Sequence, residues 1–183
     1  MNKIITYSLS LLAFLYIFYE SIFNEEIINP YSYLIISSGY ISISMIIMVL
    51  AIPVMFGIKN YIDRRILGIM TFVASLLHLS LYLIDNNLSL DFILEDLISL
   101  RYIQIGYLAL LLFIPLFVTS SDALQKKLGS KWLSIHRLIY LILVLSLIHY
   151  YLIIKADYLI FSIYLFIILS ICRNAILPVP MTK

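Results

Sequence analysis

The stretch KWLSIHRLIYLILVLSLIHYYLIIK, residues 131–155, decides the fold of this chain. It is apolar almost throughout and long enough to cross a hydrocarbon core, which takes about 20 residues of helix. It also contains two histidines, His136 and His149, thirteen residues apart. The third histidine of the chain, His78, lies in a similar stretch, ILGIMTFVASLLHLSLYLI. All three histidines therefore fall in segments whose composition is typical of a membrane span.

The composition of the whole chain also indicates a membrane protein. Of its 183 residues, 63% are hydrophobic and 12% are charged, a balance that soluble domains do not show. We predict one all-α domain over residues 1–183, a polytopic six-helix transmembrane bundle in the lipid bilayer. The predicted spans are 4–23, 33–57, 66–84, 102–119, 133–154 and 158–176.

Charge is distributed unevenly between the two sides of the predicted bundle. Ten of the twelve Lys and Arg residues fall on one side, and eight of the ten Asp and Glu residues fall on the other. Because short loops rich in Lys and Arg stay in the cytoplasm, both termini are expected to be cytoplasmic. The acidic side, which includes Glu95 and Asp96, then faces outwards. No compact basic domain is present, so nucleic acid is not an expected partner.

The direction of the chain brings two of the histidines to a similar depth. Under this topology the third and fifth spans both run from inside to outside, which places His78 and His149 near their outer ends. Two neutral imidazoles that face each other across a bundle are able to supply both axial ligands of one haem iron. The competing interpretation is that membrane histidines form packing hydrogen bonds between helices. The agreement in depth favours the haem interpretation for this pair.

His136 predicts a second site, nearer to the cytoplasm by thirteen residues of helix, or roughly 20 Å. Arg64 and Arg65 occupy the corresponding level of the third span. Arginine stays protonated, so it suits a haem propionate rather than the iron. The axial partner of His136 stays open, with Met70 and Met55 as candidates by residue type alone. Thirteen residues of ideal helix also leave the two side chains about 140° apart, so two haems on one face require a bend.

Two longer stretches resemble the MsrQ (YedZ) family. They are RRILGIMTFVASLLHLSLYL, residues 64–83, and the segment 94–157, which resembles the second half of that family almost throughout. The most specific motifs are Leu-Gly-x-x-Trp at 128–132, His-Arg-Leu-x-Tyr at 136–140 and Ile-His-Tyr at 148–150. The sequence departs from the family pattern at Leu100-Arg101, where Arg-Pro is usual, without affecting the histidines.

The resemblance implies a haem b protein of the bacterial inner (plasma) membrane, related to ferric reductase membrane domains. On that pattern His78, His136 and His149 bind one or two haems, accompanied by Arg64 and Arg65. Electrons pass from quinol to MsrP, a periplasmic molybdopterin enzyme that reduces oxidised methionine. The chain is then an electron-transfer subunit of a methionine sulfoxide reductase system rather than the catalytic subunit. FMN is also associated with the family, but no residue here establishes a site for it.

Two other functions compete with this one. The first is a ferric reductase-like haem protein with a different electron donor or acceptor, and the second is a non-redox membrane protein with packing histidines. NAD(P)H is not expected as a direct donor, because the chain contains no dinucleotide-binding fingerprint and no room for such a domain. The sequence leaves open which quinone is oxidised, where it binds, how many haems are present, and the oligomeric state.

Overall fold

The computed structural model describes residues 2–54, 61–154 and 158–176. Within these ranges the chain forms nine α-helices and no strands, which confirms the all-α prediction. The helices are α1 (Asn2–Phe23), α2 (Pro30–Ala51), α3 (Arg64–Asp85), α4 (Leu90–Ser99), α5 (Arg101–Val118), α6 (Asp122–Leu128), α7 (Ser130–His136), α8 (Leu138–Ile153) and α9 (Leu159–Ile176).

Five segments of the described chain are long and apolar enough to cross a membrane. They are α1, α2, α3, α5 and the joined segment of α7 and α8, Ser130–Ile153, whereas α9 contains a shorter apolar stretch, Leu159–Arg173. Large apolar side chains cover the outside, for example Leu15 at 55% exposed and Phe166 at 72% exposed. Such a surface is stable where lipid replaces water. The sixth crossing and the orientation of the termini stay predictions.

Two helix pairs form the centre of the bundle. α2 packs along α3, and α5 packs along α8. The pairs meet where α3 contacts α5 and where α2 contacts α8, while α1 packs against the outside of the first pair. Ile46 of α2 and Ile142 of α8 are buried in the shared core, and Phe72 of α3 stacks on Phe117 of α5. Side chains of α3 and α8 are therefore able to meet between the two pairs.

The helix α2 stops at Ala51, inside the second predicted span, 33–57. Pro53 explains the early stop: proline has no N–H and cannot donate to the carbonyl of Val49, four residues before it. The side chain of Arg64 takes the missing donor's place, with its Nε 2.9 Å from the Val49 oxygen. Arg64 thus completes the end of α2 from the start of α3.

One end of the bundle collects basic residues, and we call it the basic end. There the Asp63 N–H, just before α3, donates to Thr6 Oγ1 of α1 at 2.9 Å, and Arg65 forms an ion pair with Asp122 of α6. The first residues of α1, the start of α3 and α6 therefore lie together, as the charge pattern predicted. Met55, a candidate ligand at the second site, lies outside the described ranges, as does the end of the second predicted span. Four of the charged residues counted in the charge pattern also lie outside them: Lys59, Lys155, Asp157 and Lys183.

Two short helices, α4 and α6, occupy segments that were predicted as loops. α4 lies at the opposite end of the bundle, which we call the acidic end. It is held there by Tyr82 of α3, whose hydroxyl donates to Asp96 at 2.6 Å. Leu90, Phe92 and Ile98 of α4 are exposed. A short helix with exposed apolar side chains and a polar anchor is suited to the membrane interface.

We expect Arg64→Met to lower the stability of the protein, because the Val49 carbonyl then loses its donor at the end of α2. Leaving one such group unsatisfied costs about 1 kcal/mol. Pro53→Ala restores a backbone N–H four residues after Val49, so Arg64→Met should cost less in that background. Thermal unfolding in detergent of the unaltered protein, the two single variants and the double variant measures the loss of stability caused by Arg64→Met in each background. An equal loss in both backgrounds would contradict the role of Arg64 as the donor to the Val49 carbonyl.

Candidate functional site

His78 and His149 lie next to each other between the two central helix pairs. His78 is on α3 and His149 on α8, with ring centroids 6.2 Å apart and ring planes at 88°. Both rings line one cavity of about 640 Å³, within the range of roughly 300–1,000 Å³ that small-molecule and cofactor sites occupy. The structure therefore brings together the two histidines that the topology had placed at a similar depth.

Hydrogen bonds define the tautomer of each histidine. The Nδ1 atom of His78 lies 2.9 Å from the Ile35 carbonyl oxygen, and that of His149 lies 2.6 Å from the Tyr102 carbonyl oxygen. Because a carbonyl only accepts, both Nδ1 atoms must carry a hydrogen. Each Nε2 atom then keeps its lone pair, which is the state that binds a metal. A backbone carbonyl on the other ring nitrogen is a usual partner of a metal-binding histidine.

A glycine gives each imidazole room to reach its carbonyl. Gly39 of α2 and Gly106 of α5 both lie four residues after the accepting carbonyl. A Cβ atom at Gly39 would lie 3.2 Å from Cε1 of His78, and one at Gly106 would lie 2.9 Å from Cε1 of His149. The same arrangement thus occurs twice, with a helix carbonyl as acceptor and a glycine one turn later as the space for the ring.

The remaining walls of the cavity are apolar or carry hydroxyl groups. In the described part of the chain, no Lys, Arg, Asp or Glu side chain lines it. Ile43, Ile46 and Phe113 supply apolar surface. Tyr40 and Tyr150 also line it, and their rings lie edge to face with centroids 5.4 Å apart. Such walls suit a large ligand with a flat, mostly apolar body.

The histidine pair fits a haem better than a free metal ion. Among the described residues, no group of three or more His, Cys, Asp or Glu side chains could hold a bare ion. A haem iron needs only two axial ligands from the protein. Metal–imidazole bonds are about 2.0–2.1 Å long, so two rings on opposite sides of one metal have centroids roughly 6 Å apart. The observed separation of 6.2 Å matches that spacing.

His136 lies apart from this pair, at the end of α7 near the basic end. Its ring stacks on Trp132 with centroids 3.9 Å apart, and its Nδ1 atom lies 3.2 Å from the Trp132 carbonyl oxygen. The chain has three histidines, and the other two face each other, so His136 has no histidine opposite it. α7 ends at His136 and α8 begins at Leu138, and the Tyr140 N–H bonds to the Arg137 carbonyl three residues before it rather than to the one four residues before it. The two histidines of this segment are therefore not related by one ideal helix.

Arg64 and Arg65 both bind protein groups at the basic end. Arg64 donates to the carbonyl at the end of α2, and the guanidinium of Arg65 bonds to Asp122 and Gln125 of α6. The hydrogen bond from Arg65 holds the pKa of the Asp122 carboxyl below its usual value. Both arginines lie within electrostatic range of His136. The predicted site residues thus separate into a histidine pair and a group at the basic end.

Gly39 and Gly106 were not among the site residues predicted from the sequence. The signal was available, because the chain has only five glycines and these two lie inside apolar helices. Glycine in a helix interior is less stable than alanine by roughly 0.5–1 kcal/mol, so such a position needs a reason. Here the reason is the approach of an imidazole.

Comparison with known proteins identifies the family. The family described as ferric reductase like transmembrane component matches residues 38–147, more than half of the chain. This chain belongs to that family. The matched region contains both glycines, His78 and His136, and ends two residues before His149. Together with the five apolar segments, family membership makes the chain a multi-pass membrane protein.

Curated relatives of this family member are heme-binding subunits. The protein-methionine-sulfoxide reductase heme-binding subunit MsrQ of Rhodospirillum rubrum is 41% identical over 96 residues, which cover 51% of this chain and 46% of that protein. MsrQ of Brucella ovis is 35% identical over 101 residues, covering 55% and 46%. The resemblance to MsrQ is thus confirmed. The chain spans about half the length of the curated relatives it matches. No solved structure matches it.

We expect Gly106→Ala to disturb the site more than Gly39→Ala, since the added methyl would lie 2.9 Å rather than 3.2 Å from the imidazole. Gly68→Ala of α3 is a matched control, because nothing lies within 4 Å of its added Cβ. Alanine should stabilise that helix by roughly 0.5–1 kcal/mol. Thermal unfolding in detergent ranks the three variants. A Gly106→Ala protein as stable as Gly68→Ala would show that the imidazole does not need the glycine.

Proposed function

We propose that this protein is a haem b electron-transfer subunit of the bacterial inner membrane. It passes electrons from quinol to a periplasmic methionine sulfoxide reductase of the MsrP type, which repairs oxidised envelope proteins. The observation that carries the proposal is the facing pair His78 and His149, each with Nδ1–H on a backbone carbonyl and Nε2 free. The heme-binding MsrQ relatives support the same function.

His78 and His149 would hold the haem through their Nε2 atoms, because each Nδ1–H is bonded to a backbone carbonyl. A b-type haem held in this way would supply one-electron redox chemistry. With both ligands taken from the protein, such a site would suit electron transfer rather than oxygen chemistry. The carbonyls of Ile35 and Tyr102 hold the rings and increase the basicity of the ligands. The apolar walls would limit the access of water to the bound group.

His136 is the candidate ligand for a second cofactor. Its Nδ1–H is bonded within α7, so its Nε2 keeps a lone pair, and Arg64 and Arg65 supply positive charge near it. A haem held by His136 would need its second protein ligand from a group other than the three histidines of this chain. The pair His78 and His149 accounts for one haem by itself. FMN rests on the resemblance to MsrQ alone.

We place the basic end in the cytoplasm and the histidine pair towards the periplasm. This orientation is supported by the positive-inside rule and by the position of Lys3, Arg65 and Lys126 around Asp122, at the end opposite α4. Residues 1–183 then form one domain with six crossings and two cytoplasmic termini. Electrons leave at the acidic end, where Asp91 and Glu95 of α4 are exposed. An acceptor that docks there is expected to present a basic surface.

A second candidate function is a ferric reductase-like electron-transfer protein with another donor or acceptor. The family match over residues 38–147 favours it, because that match identifies the transmembrane domain and specifies neither the electron donor nor the electron acceptor. Donor and acceptor together distinguish the two functions: a purified protein whose haem is reduced by quinol and reoxidised by an MsrP-type reductase supports the first.

Substitution of either paired histidine by alanine should remove the same component of the reduced-minus-oxidised absorption spectrum, because both imidazoles bind one iron. His136→Ala should retain that component, since its ring lies at the basic end against Trp132. If His78→Ala and His149→Ala remove two different components, the pairing is wrong. If the unaltered purified protein shows no haem spectrum, the proposed function is wrong.

Neutralising Asp91 and Glu95 together should slow the reduction of an MsrP-type acceptor by quinol-reduced protein, by roughly tenfold at low salt. The carboxylates attract a basic partner, and their effect should fade as salt shortens the screening length to about 10 Å at 0.1 M. Asp96 is left unchanged because it accepts the Tyr82 hydroxyl. Stopped-flow absorbance of the haem gives the rate.

Lys126→Gln with Lys127→Gln is the matched control, since both lysines are exposed at the basic end. That variant should reduce the acceptor at the unaltered rate. A slower rate in the lysine variant together with an unchanged rate in the Asp91 and Glu95 variant would place the acceptor at the basic end and refute the orientation.

A further inference from the structure

The two facing imidazoles are not held in the same way. Among the described residues, the Nδ1–H of His149 donates to the Tyr102 carbonyl oxygen, at 2.6 Å. The Nδ1 atom of His78 lies near two oxygens: the Ile35 carbonyl at 2.9 Å and Ser38 Oγ at 3.2 Å. Ser38 is fully buried, with 0% of its surface exposed. The hydroxyl therefore belongs to the interior around His78.

The two helices that carry the acceptors differ at one equivalent position. On α2 the accepting carbonyl is followed by Ser38 three residues later and by glycine four residues later. On α5 the same two positions hold Ile105 and glycine. The glycine is thus common to both sides, whereas the hydroxyl occurs only beside His78. His149 is held by its carbonyl without such a hydroxyl. The Ser38 hydroxyl is therefore not needed for the imidazole–carbonyl hydrogen bond itself and adds a second contact to His78.

The direction of each hydrogen bond around Ser38 follows from its partners. Ser38 Oγ donates its proton to the Ile35 carbonyl at 2.9 Å. With that proton committed, Ser38 Oγ is left to accept, and Nδ1–H of His78 is the donor to it. One N–H group is therefore shared between two acceptors that are themselves hydrogen-bonded. If the His78 ring turns about its Cβ–Cγ bond, both contacts weaken together.

We propose that Ser38 is a positioning residue, which holds the His78 imidazole plane nearly perpendicular to that of His149. The angle between the planes is 88°. The inference rests on the proposed haem site and goes beyond it, because it names the residue that sets the relative orientation of the two axial ligands. A second hydrogen bond on a metal-binding histidine is a recognised means of fixing its ring.

The orientation has an electronic consequence that can be measured. Each imidazole donates π electrons to the iron d orbital that lies perpendicular to its ring plane. Perpendicular rings act on two different d orbitals and leave them close in energy, whereas parallel rings act on one and separate them. In the ferric low-spin state, two d orbitals of similar energy give a large maximum g value in the electron paramagnetic resonance spectrum. The unaltered haem protein should therefore show such a signal.

The test compares variants that differ in the hydroxyl at position 38. Ser38→Ala removes it, and Ser38→Val and Ser38→Thr form a pair of equal size in which only threonine keeps it. Ser10→Ala is the control for losing a buried hydroxyl elsewhere: Ser10 is 2% exposed, and its Oγ donates to the Thr6 carbonyl on α1. Low-temperature electron paramagnetic resonance of the ferric proteins is the measurement.

We expect the maximum g value to fall and its signal to broaden in Ser38→Ala and Ser38→Val, because the ring is freed to turn. Ser38→Thr and Ser10→Ala should keep the unaltered signal. Loss of haem from the alanine and valine variants with retention in threonine also supports the proposal. An unchanged signal in Ser38→Ala overturns it, as does equal loss of haem from all three Ser38 variants. An unaltered protein without any haem overturns the proposed function itself.

Discussion

The centre of this bundle depends on a hydrogen bond from each buried imidazole to a carbonyl of its neighbouring helix. In a membrane core, where no water is available, an unsatisfied N–H costs several kcal/mol. His78 meets this requirement on α2, and His149 meets it on α5. Each bond lies within one of the two tightly packed helix pairs. These bonds stabilise each pair, while the Nε2 atoms of the two histidines keep their lone pairs next to the cavity between the pairs.

That space also explains how the fold and the cofactor depend on each other. The cavity of about 640 Å³ lies where the pairs meet and is lined on both sides by apolar residues. Side chains around a cavity of this size make fewer contacts than close packing would supply. The haem proposed for His78 and His149 would fill this space and would join α3 of one pair to α8 of the other. Its binding would then contribute to closing the bundle, as in other proteins whose metal binding contributes to folding.

Hydropathy, chain direction and the positive-inside rule predicted the features that depend on sequence alone: the apolar segments, the meeting of His78 with His149, and the collection of basic residues at one end. They did not predict Gly39, Gly106 or Ser38. The spans are apolar on every side, so they lack the one-sided pattern that shows which face of a helix turns inward. The partners of a side chain on another helix therefore stayed hidden. The end of the helix α2 at Ala51 was not predicted either, since the role of Arg64 is visible only when α2 and α3 are together.

The contact between Arg64 and Val49 joins two roles that are usually treated separately. Basic residues beside a span are commonly regarded as signals for the insertion machinery, which any lysine or arginine could provide. Here a residue that the proposed orientation places on the cytoplasmic side also supplies the directed N–H that α2 lacks because of Pro53. A lysine would keep the orientation signal but would not offer the same planar donor. Insertion and backbone completion thus place different demands on one side chain, and only arginine meets both.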